Sequence, residues 1–218
     1  CNDTLIVSTD GEYSYLGRLN VPFDVNGLVL TDELDTAING PVATTDSEVV
    51  NLWCELDTAF AAGTKAAEVE LLVDPVTGIV AVEDGDVAGY TAVFLDGARE
   101  SVRTEETNLG NLSADANLWR ARQFDPSVDV SIKNGGGLRA SIGQIDGVTG
   151  ELLVPQANPN ATPPKPEGAI SALDIANSAR FNNTHTLLDL SVQDLLEVLE
   201  HAYAGSFEGE TPGRFAQL

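Results

Sequence analysis

Val128, Val130 and Ile132 alternate with Asp129, Ser131 and Lys133, and the run stops at Asn134-Gly135-Gly136-Gly137. Alternation with period two marks a half-buried strand, and consecutive glycines let a main chain turn and approach a ligand with no Cβ in the way. A glycine loop at the carboxyl end of a strand is where open α/β sheets bind ligands. The expected fold class is therefore α/β, a mixed sheet flanked by helices. The amides of Gly136 and Gly137 suit an anion, Asn134 offers donor and acceptor, and Arg139 offers a planar fork that fits phosphate or a ribose edge. On the residues alone, a plain glycine turn with Arg139 in solvent stays open as the other reading.

Around this core the pattern predicts further elements. Residues 4–8 and 15–23 read as short strands, closed by the Asp24-Val25-Asn26-Gly27 turn and the apolar Leu28-Val29-Leu30; this meander has no partner of its own. Residues 31–46 read as a loop, and Val50, Leu52, Trp53, Leu56 and Phe60 predict a helix that ends at Gly63. Strands are expected over 69–73, 79–82 and 88–95, separated by Asp-Pro, Thr-Gly and Asp-Gly turns. Thr107 or Asn108 caps a helix carrying Leu109, Leu112, Ala116 and Trp119 on one face. Residues 143–168, rich in proline, read as a long exposed insertion. A last strand over 184–190 leads into a helix with the capping box Ser191-x-x-Asp194.

Charge narrows the partners. With 34 acidic residues against 11 basic ones the formal net charge is −23, which repels phosphate backbones and anionic lipid, so neither nucleic acid nor a membrane surface is an expected partner. No apolar run approaches the roughly 20 residues of a membrane span. The few basic residues therefore matter, and Arg103 stands five residues before the capped helix, within reach of the mouth that Arg139 faces; a surface Arg beside Glu105 and Glu106 is the bland alternative. Residue 1 is not Met, so the expectation is a piece of a longer protein. Cys1 and Cys54 are either a pair in an oxidising compartment or two free thiols.

Four stretches in order carry a resemblance: Gly89-Tyr90-Thr91-Ala92-Val93-Phe94-Leu95-Asp96-Gly97, Glu106-Thr107-Asn108-Leu109-Gly110-Asn111-Leu112-Ser113-Ala114-Asp115-Ala116, Asn134-Gly135-Gly136-Gly137-Leu138-Arg139, and Phe181-Asn182-Asn183-Thr184 through Leu199-Glu200-His201. Together they resemble the C-terminal domain of the 5′-nucleotidase and UDP-sugar hydrolase family. Tyr13-Ser14-Tyr15-Leu16-Gly17-Arg18-Leu19 is similar to the closing strands of the metallophosphoesterase domain that precedes it.

The resemblance implies three parts: residues 1–30 as the end of the metallophosphoesterase domain, 31–65 as a linker with a helix, and 66–218 as an incomplete substrate-binding domain. It implies that Arg103, Asn134, Gly136, Gly137 and Arg139 hold a nucleotide and that Phe181 stacks on its base. The chemistry would belong to a divalent metal pair, zinc, manganese or similar, in the N-terminal domain and outside this segment. The family's metal motifs have no counterpart here, and His185 and His201 read as structural; no residue of the segment is expected to be catalytic. Arg180-Phe181-Asn182 replaces the family's usual Pro-Phe-Gly, and its second stacking aromatic and ribose-binding Asp are expected beyond Leu218. The implied function is nucleotide binding within an exported, extracellular or periplasmic, metal-dependent phosphohydrolase. The competing readings are a UDP-sugar, cyclic-nucleotide or other phosphoester hydrolase of the same family, or a non-catalytic adhesion or assembly module on the same fold.

Overall fold

A computed structural model of the chain describes residues 14–53, 55–207 and 209–218. The expected strand over 4–8 and the pairing state of Cys1 and Cys54 lie outside the described residues. The chain divides into two compact units, Cys1–Pro75 and Val76–Leu218.

In the first unit, β1 (Tyr15–Arg18) pairs antiparallel with β2 (Gly40–Ala43), so the stretch expected to be a loop contains a strand. The Asp24 turn forms as expected: its carboxylate accepts the amides of Asn26 and Leu28, both at 2.8 Å, and Phe23 bridges to Val29. The single helix expected after Ser47 is two short ones, α1 (Asp46–Trp53) and α2 (Leu56–Ala59).

The strands expected over 69–73 and 79–82 are instead one helix, α3 (Lys65–Gly85), with Pro75 inside it. Apolar residues fill 69–73 almost without interruption, a pattern that buried strands and helices share, so local capping decides. Thr64 accepts the Ala67 amide at 3.2 Å as the N-cap. The far end is anchored, with Ala81 accepting the Thr162 amide at 2.8 Å. Gly85 lies so near Thr162 that a Cβ would stand 2.3 Å from the Thr162 carbonyl carbon. Among the described residues no helix is long and apolar enough to cross a membrane.

The second unit interleaves short ladders with helices. Strand β3 (Val87–Tyr90) is shorter than the expected 88–95 segment, which continues only as the Leu95–Ile142 bridge. Helix α4 (Asn108–Arg122) starts at the Thr107 cap, whose side chain accepts the Gly110 amide at 3.0 Å. The alternating run at 128–132 forms no ladder; pairing is confined to β4 (Lys133–Asn134), because only there does a partner backbone arrive.

The proline-rich stretch is mostly exposed, as expected, but it is ordered and tied back to the domain at a few buried positions. It contains a hairpin of β5 (Gln144–Ile145) and β6 (Leu152–Leu153), then returns through an Asn158–Lys165 bridge that buries Ala161 and Lys165. Strand β7 (Ala169–Ser171) pairs with β3 and runs into α5 (Ala172–Ser178). Residues 184–190 form no strand and have no ladder partner, which corrects the expected last strand. Helix α6 (Val192–Phe207) follows the Ser191–Asp194 capping box, and β8 (Ala216–Gln217) closes on β4. Leu95, Val102, Leu109, Leu138 and Ile142 form the apolar core beneath the glycine loop.

The return of the proline-rich stretch is held by charge. Lys165 Nζ lies 2.8 Å from Asp84 and 2.7 Å from Asp174, with side-chain exposures of 6%, 11% and 23% in that order. Ser171 also donates to Asp84 at 2.8 Å, as does Asn158. Burial pushes the Asp84 carboxyl up, but hydrogen bonds from Lys165, Asn158 and Ser171 outweigh it and leave the pKa below its ordinary value. Burial pushes Lys165 down, and the bonds to Asp174 and Asp84 outweigh that, leaving it raised. A depressed acid stabilises the fold above its unfolded pKa and loses that effect as pH falls through the folded value. A raised lysine stabilises below its unfolded pKa and loses the effect as pH rises through the folded value.

Lys165→Met should therefore leave two carboxylates without their cation and cost about 3 kcal/mol near neutral pH, read as a lower urea midpoint. It should also flatten the loss of stability in acid. An unchanged midpoint would contradict this role for the cluster.

Candidate functional site

The site is built where two backbones meet. Gly135-Gly136-Gly137 forms a single 3-10 turn after β4, and the segment from Thr211 to Gln217 lies against it. Gly136 donates to Gly213 O at 2.8 Å, and Gly135 donates to Phe215 O at 2.7 Å. On its other side Gly135 touches the turn that carries Arg103, so closely that a Cβ would stand 1.7 Å from Val102 O. A Cβ on Gly136 would stand 2.8 Å from the Gly213 Cα. None of these glycines has a positive φ; the triple glycine is required by close approach rather than by a left-handed turn.

Arg103 ends the 3-10 turn Ser101–Arg103, half-buried. Its Nη1 donates to Thr211 O at 3.3 Å, while its buried Nε has no partner. Burial lowers its pKa, and the positive charges of Arg99 and Arg139 lower it further. The Arg103 guanidinium thus lies in the field of two other arginines, partly offset by the nearby Glu100. Among the described residues no arginine is ion-paired within 4 Å of a carboxylate, despite the acidic excess of the chain.

Arg139 is exposed, its backbone tied by a 2.9 Å bond from its amide to Ser178 O at the end of α5. Its guanidinium lies 5.7 Å from the centre of the Phe181 ring, within cation–π range. Phe181 is 51% exposed, which leaves much of its ring for a ligand. Asn134 is exposed and reaches Gly213 O at 3.4 Å, against the same wall that Arg103 touches.

Of the residues expected from sequence, Arg103, Asn134 and Gly136 meet at the segment from Thr211 to Gly213, and Arg139 and Phe181 meet one another. Gly137 is buried and packs on Asn134 and Lys133. Beside them an open cleft of about 600 Å³ is lined by Asn134, Phe181, His185 and the unpaired 128–132 and 183–187 stretches, but not by the arginines. His201 is exposed on α6, where its carbonyl accepts from Arg214 at 2.8 Å. Among the described residues no three His, Cys, Asp or Glu side chains gather into a group that would hold a metal ion, so no step is assigned to one here.

Two contributors were not foreseen. Arg99 lies four residues before Arg103, and that spacing around a tight turn is the signal that would have found it. Gln217 has no local signal, since its partners are more than a hundred residues away.

Residues 87–218 match the family model described as 5′-nucleotidase, C-terminal domain. A trifunctional nucleotide phosphoesterase protein, YfkN, of Bacillus subtilis is 32% identical over 98% of this chain and 12% of its own length. The human 5′-nucleotidase is 30% identical over 60% of this chain and 20% of its own. The solved structure of a 5′-nucleotidase precursor from Thermus thermophilus superposes with a TM-score of 0.59 at 24% identity, covering 94% of this chain and 31% of that one, a likeness of fold. The chain thus spans less than a third of these relatives. With more than half of its residues in the family model, the chain belongs to the 5′-nucleotidase family, of which it carries the C-terminal domain.

Proposed function

We propose that this chain is the nucleotide-binding part of an exported, metal-dependent phosphohydrolase that converts nucleoside phosphates to nucleoside and phosphate. The observation that carries the reading is the Arg139–Phe181 pair at 5.7 Å, with the Arg103 guanidinium in electrostatic reach of both Arg99 and Arg139 and no carboxylate within 4 Å of an arginine among the described residues. An anion with an aromatic base fits both halves of that arrangement: guanidinium forks for phosphate and a half-exposed ring for stacking. The 600 Å³ cleft beside Asn134 and Phe181 gives the nucleoside room.

In this reading Arg103, Asn134 and Arg139 bind the ligand and Phe181 stacks on the base, while Gly136, whose amide is committed to Gly213 O instead of being free for an anion, and the buried Gly137 shape the loop; the segment itself performs no bond cleavage. The divalent metal pair that activates water would sit in a preceding metallophosphoesterase domain, of which residues 1–30 would be the last strands, 31–65 the linker and 66–218 the binding domain. Leu16, Phe23 and Leu28 are 66%, 60% and 66% exposed, which fits strands built to be covered by such a domain. Work outside the cytoplasm, in a periplasm or an extracellular space, fits the acidic composition. The printed name of the Bacillus relative, a trifunctional nucleotide phosphoesterase, favours a second reading in which several phosphoesters share this site.

Titration calorimetry with adenosine monophosphate should detect weak binding that Arg139→Ala and Phe181→Ala each reduce by about tenfold, the scale of one charged hydrogen bond or one stacked base. Unchanged affinity in both variants would sink the reading. Gly135→Ala should abolish binding and lower stability by about 3 kcal/mol, because backbone must move to admit the Cβ. Gly147→Ala, where nothing lies within 4 Å, should change neither.

A further inference from the structure

Gln217 is 0% exposed and commits both of its amide donors and its carbonyl oxygen to one stretch of backbone. Its Nε2 donates to Val102 O at 2.9 Å and to Glu105 O at 2.7 Å, and its Oε1 accepts the Thr107 amide at 2.9 Å. These three contacts bracket Arg103 from both sides and reach the first residue before α4. A buried side-chain amide with every donor used is a rigid strut, since moving it would leave several buried polar groups without partners.

The surroundings are cut to fit it. A Cβ on Gly110 of α4 would stand 2.0 Å from Gln217 Oε1, so this helix turn has no side chain where the amide sits. Val102 O, which the amide holds, is the atom against which Gly135 packs, and β8 places Gln217 opposite Lys133 on β4. One side chain therefore joins the Arg103 turn, the glycine loop and the start of α4. The other holds on Arg103 are longer: its amide donates to Glu100 O at 3.4 Å, Ser206 donates to its carbonyl at 3.1 Å, and Nη1 reaches Thr211 O at 3.3 Å.

We infer that Gln217 is a positioning residue for nucleotide binding, setting where the Arg103 guanidinium stands relative to Arg139 by clamping the backbone on either side of Arg103. The inference rests on the nucleotide-binding reading of Arg103. Without the amide, the 102–107 backbone relaxes, like charges separate, and the guanidinium groups no longer converge on one anion.

The test is a double-mutant cycle on the chain, read by calorimetry with adenosine monophosphate and by amide hydrogen exchange. Gln217→Ala should weaken binding by about tenfold in the parent and by nothing further in an Arg103→Ala background, because its effect passes through Arg103. The Thr107 amide should lose protection, while that of Ala172, bonded to Asp86 O at 2.8 Å, keeps it. Gly110→Ala, which displaces the amide while residue 217 stays intact, should give the same pattern and keeps the test available if Gln217→Ala does not fold. A loss of affinity that persists undiminished in the Arg103→Ala background, or no loss, overturns the inference. If the parent chain binds no nucleotide, the nucleotide reading fails on its own; exchange then decides for the clamp, with opening confined to 102–107 supporting it, and none or general opening overturning it.

Discussion

The contact between the Gly135 turn and the Val102 carbonyl leaves no room for even a methyl group. Two main chains distant in sequence approach to a separation that only glycine permits, and everything proposed for the site hangs on that approach. It brings the end of β4, which supplies Asn134, against the turn that supplies Arg103. It also orients the chain leaving the loop, so that Arg139 emerges toward Phe181. The Thr211–Gln217 segment then closes over both, its carbonyls accepting from Gly135, Gly136, Asn134 and Arg103.

Placement of positive charge is the second determinant. The chain has 11 basic residues against 34 acidic ones, and it uses them in distinct ways. Lys165 is buried between two carboxylates and holds the return of the proline-rich stretch to the end of α3 and the cap of α5. Arg120 and Arg122 are engaged at the end of α4, one over Phe124 and one on Val128 O. Arg103 is left in reach of Arg99 and Arg139, and burial first and then their charges lower its affinity for its own proton. Fold stability and the proposed anion binding thus draw on separate cations, so disruption at Lys165 and at Arg139 would have different consequences.

Local signals in the sequence are good guides to local structure. The Thr107 cap, the Ser191–Asp194 box and the Asn134-Gly-Gly-Gly turn are where the residues imply, because each depends on neighbours within three or four positions. Helix α3 replaces two expected strands because a nearly continuous apolar run does not distinguish strand from helix, and Asp74-Pro75 reads as a turn until Thr64 and the Thr162 anchor are seen to hold the helix through it. The alternation at 128–132 is real but does not create a partner, and no partner reaches 184–190 either, so the strands there are shorter or absent. The exposure of most of the proline-rich stretch is legible, but the burial of its lysine is not, because the charge that permits it comes from Asp84, 81 residues away. Gln217 lies beyond any local reading for the same reason.

The most direct test of the central claim, that distant segments converge the arginines on one anion, is the nuclear magnetic resonance of arginine Nε–Hε groups during titration with adenosine monophosphate. The account predicts that Arg103, Arg139 and Arg99 shift together along one binding curve while Arg18 and Arg122 stay still. Shifts in none of the three, or separate curves for Arg103 and Arg139, would contradict it.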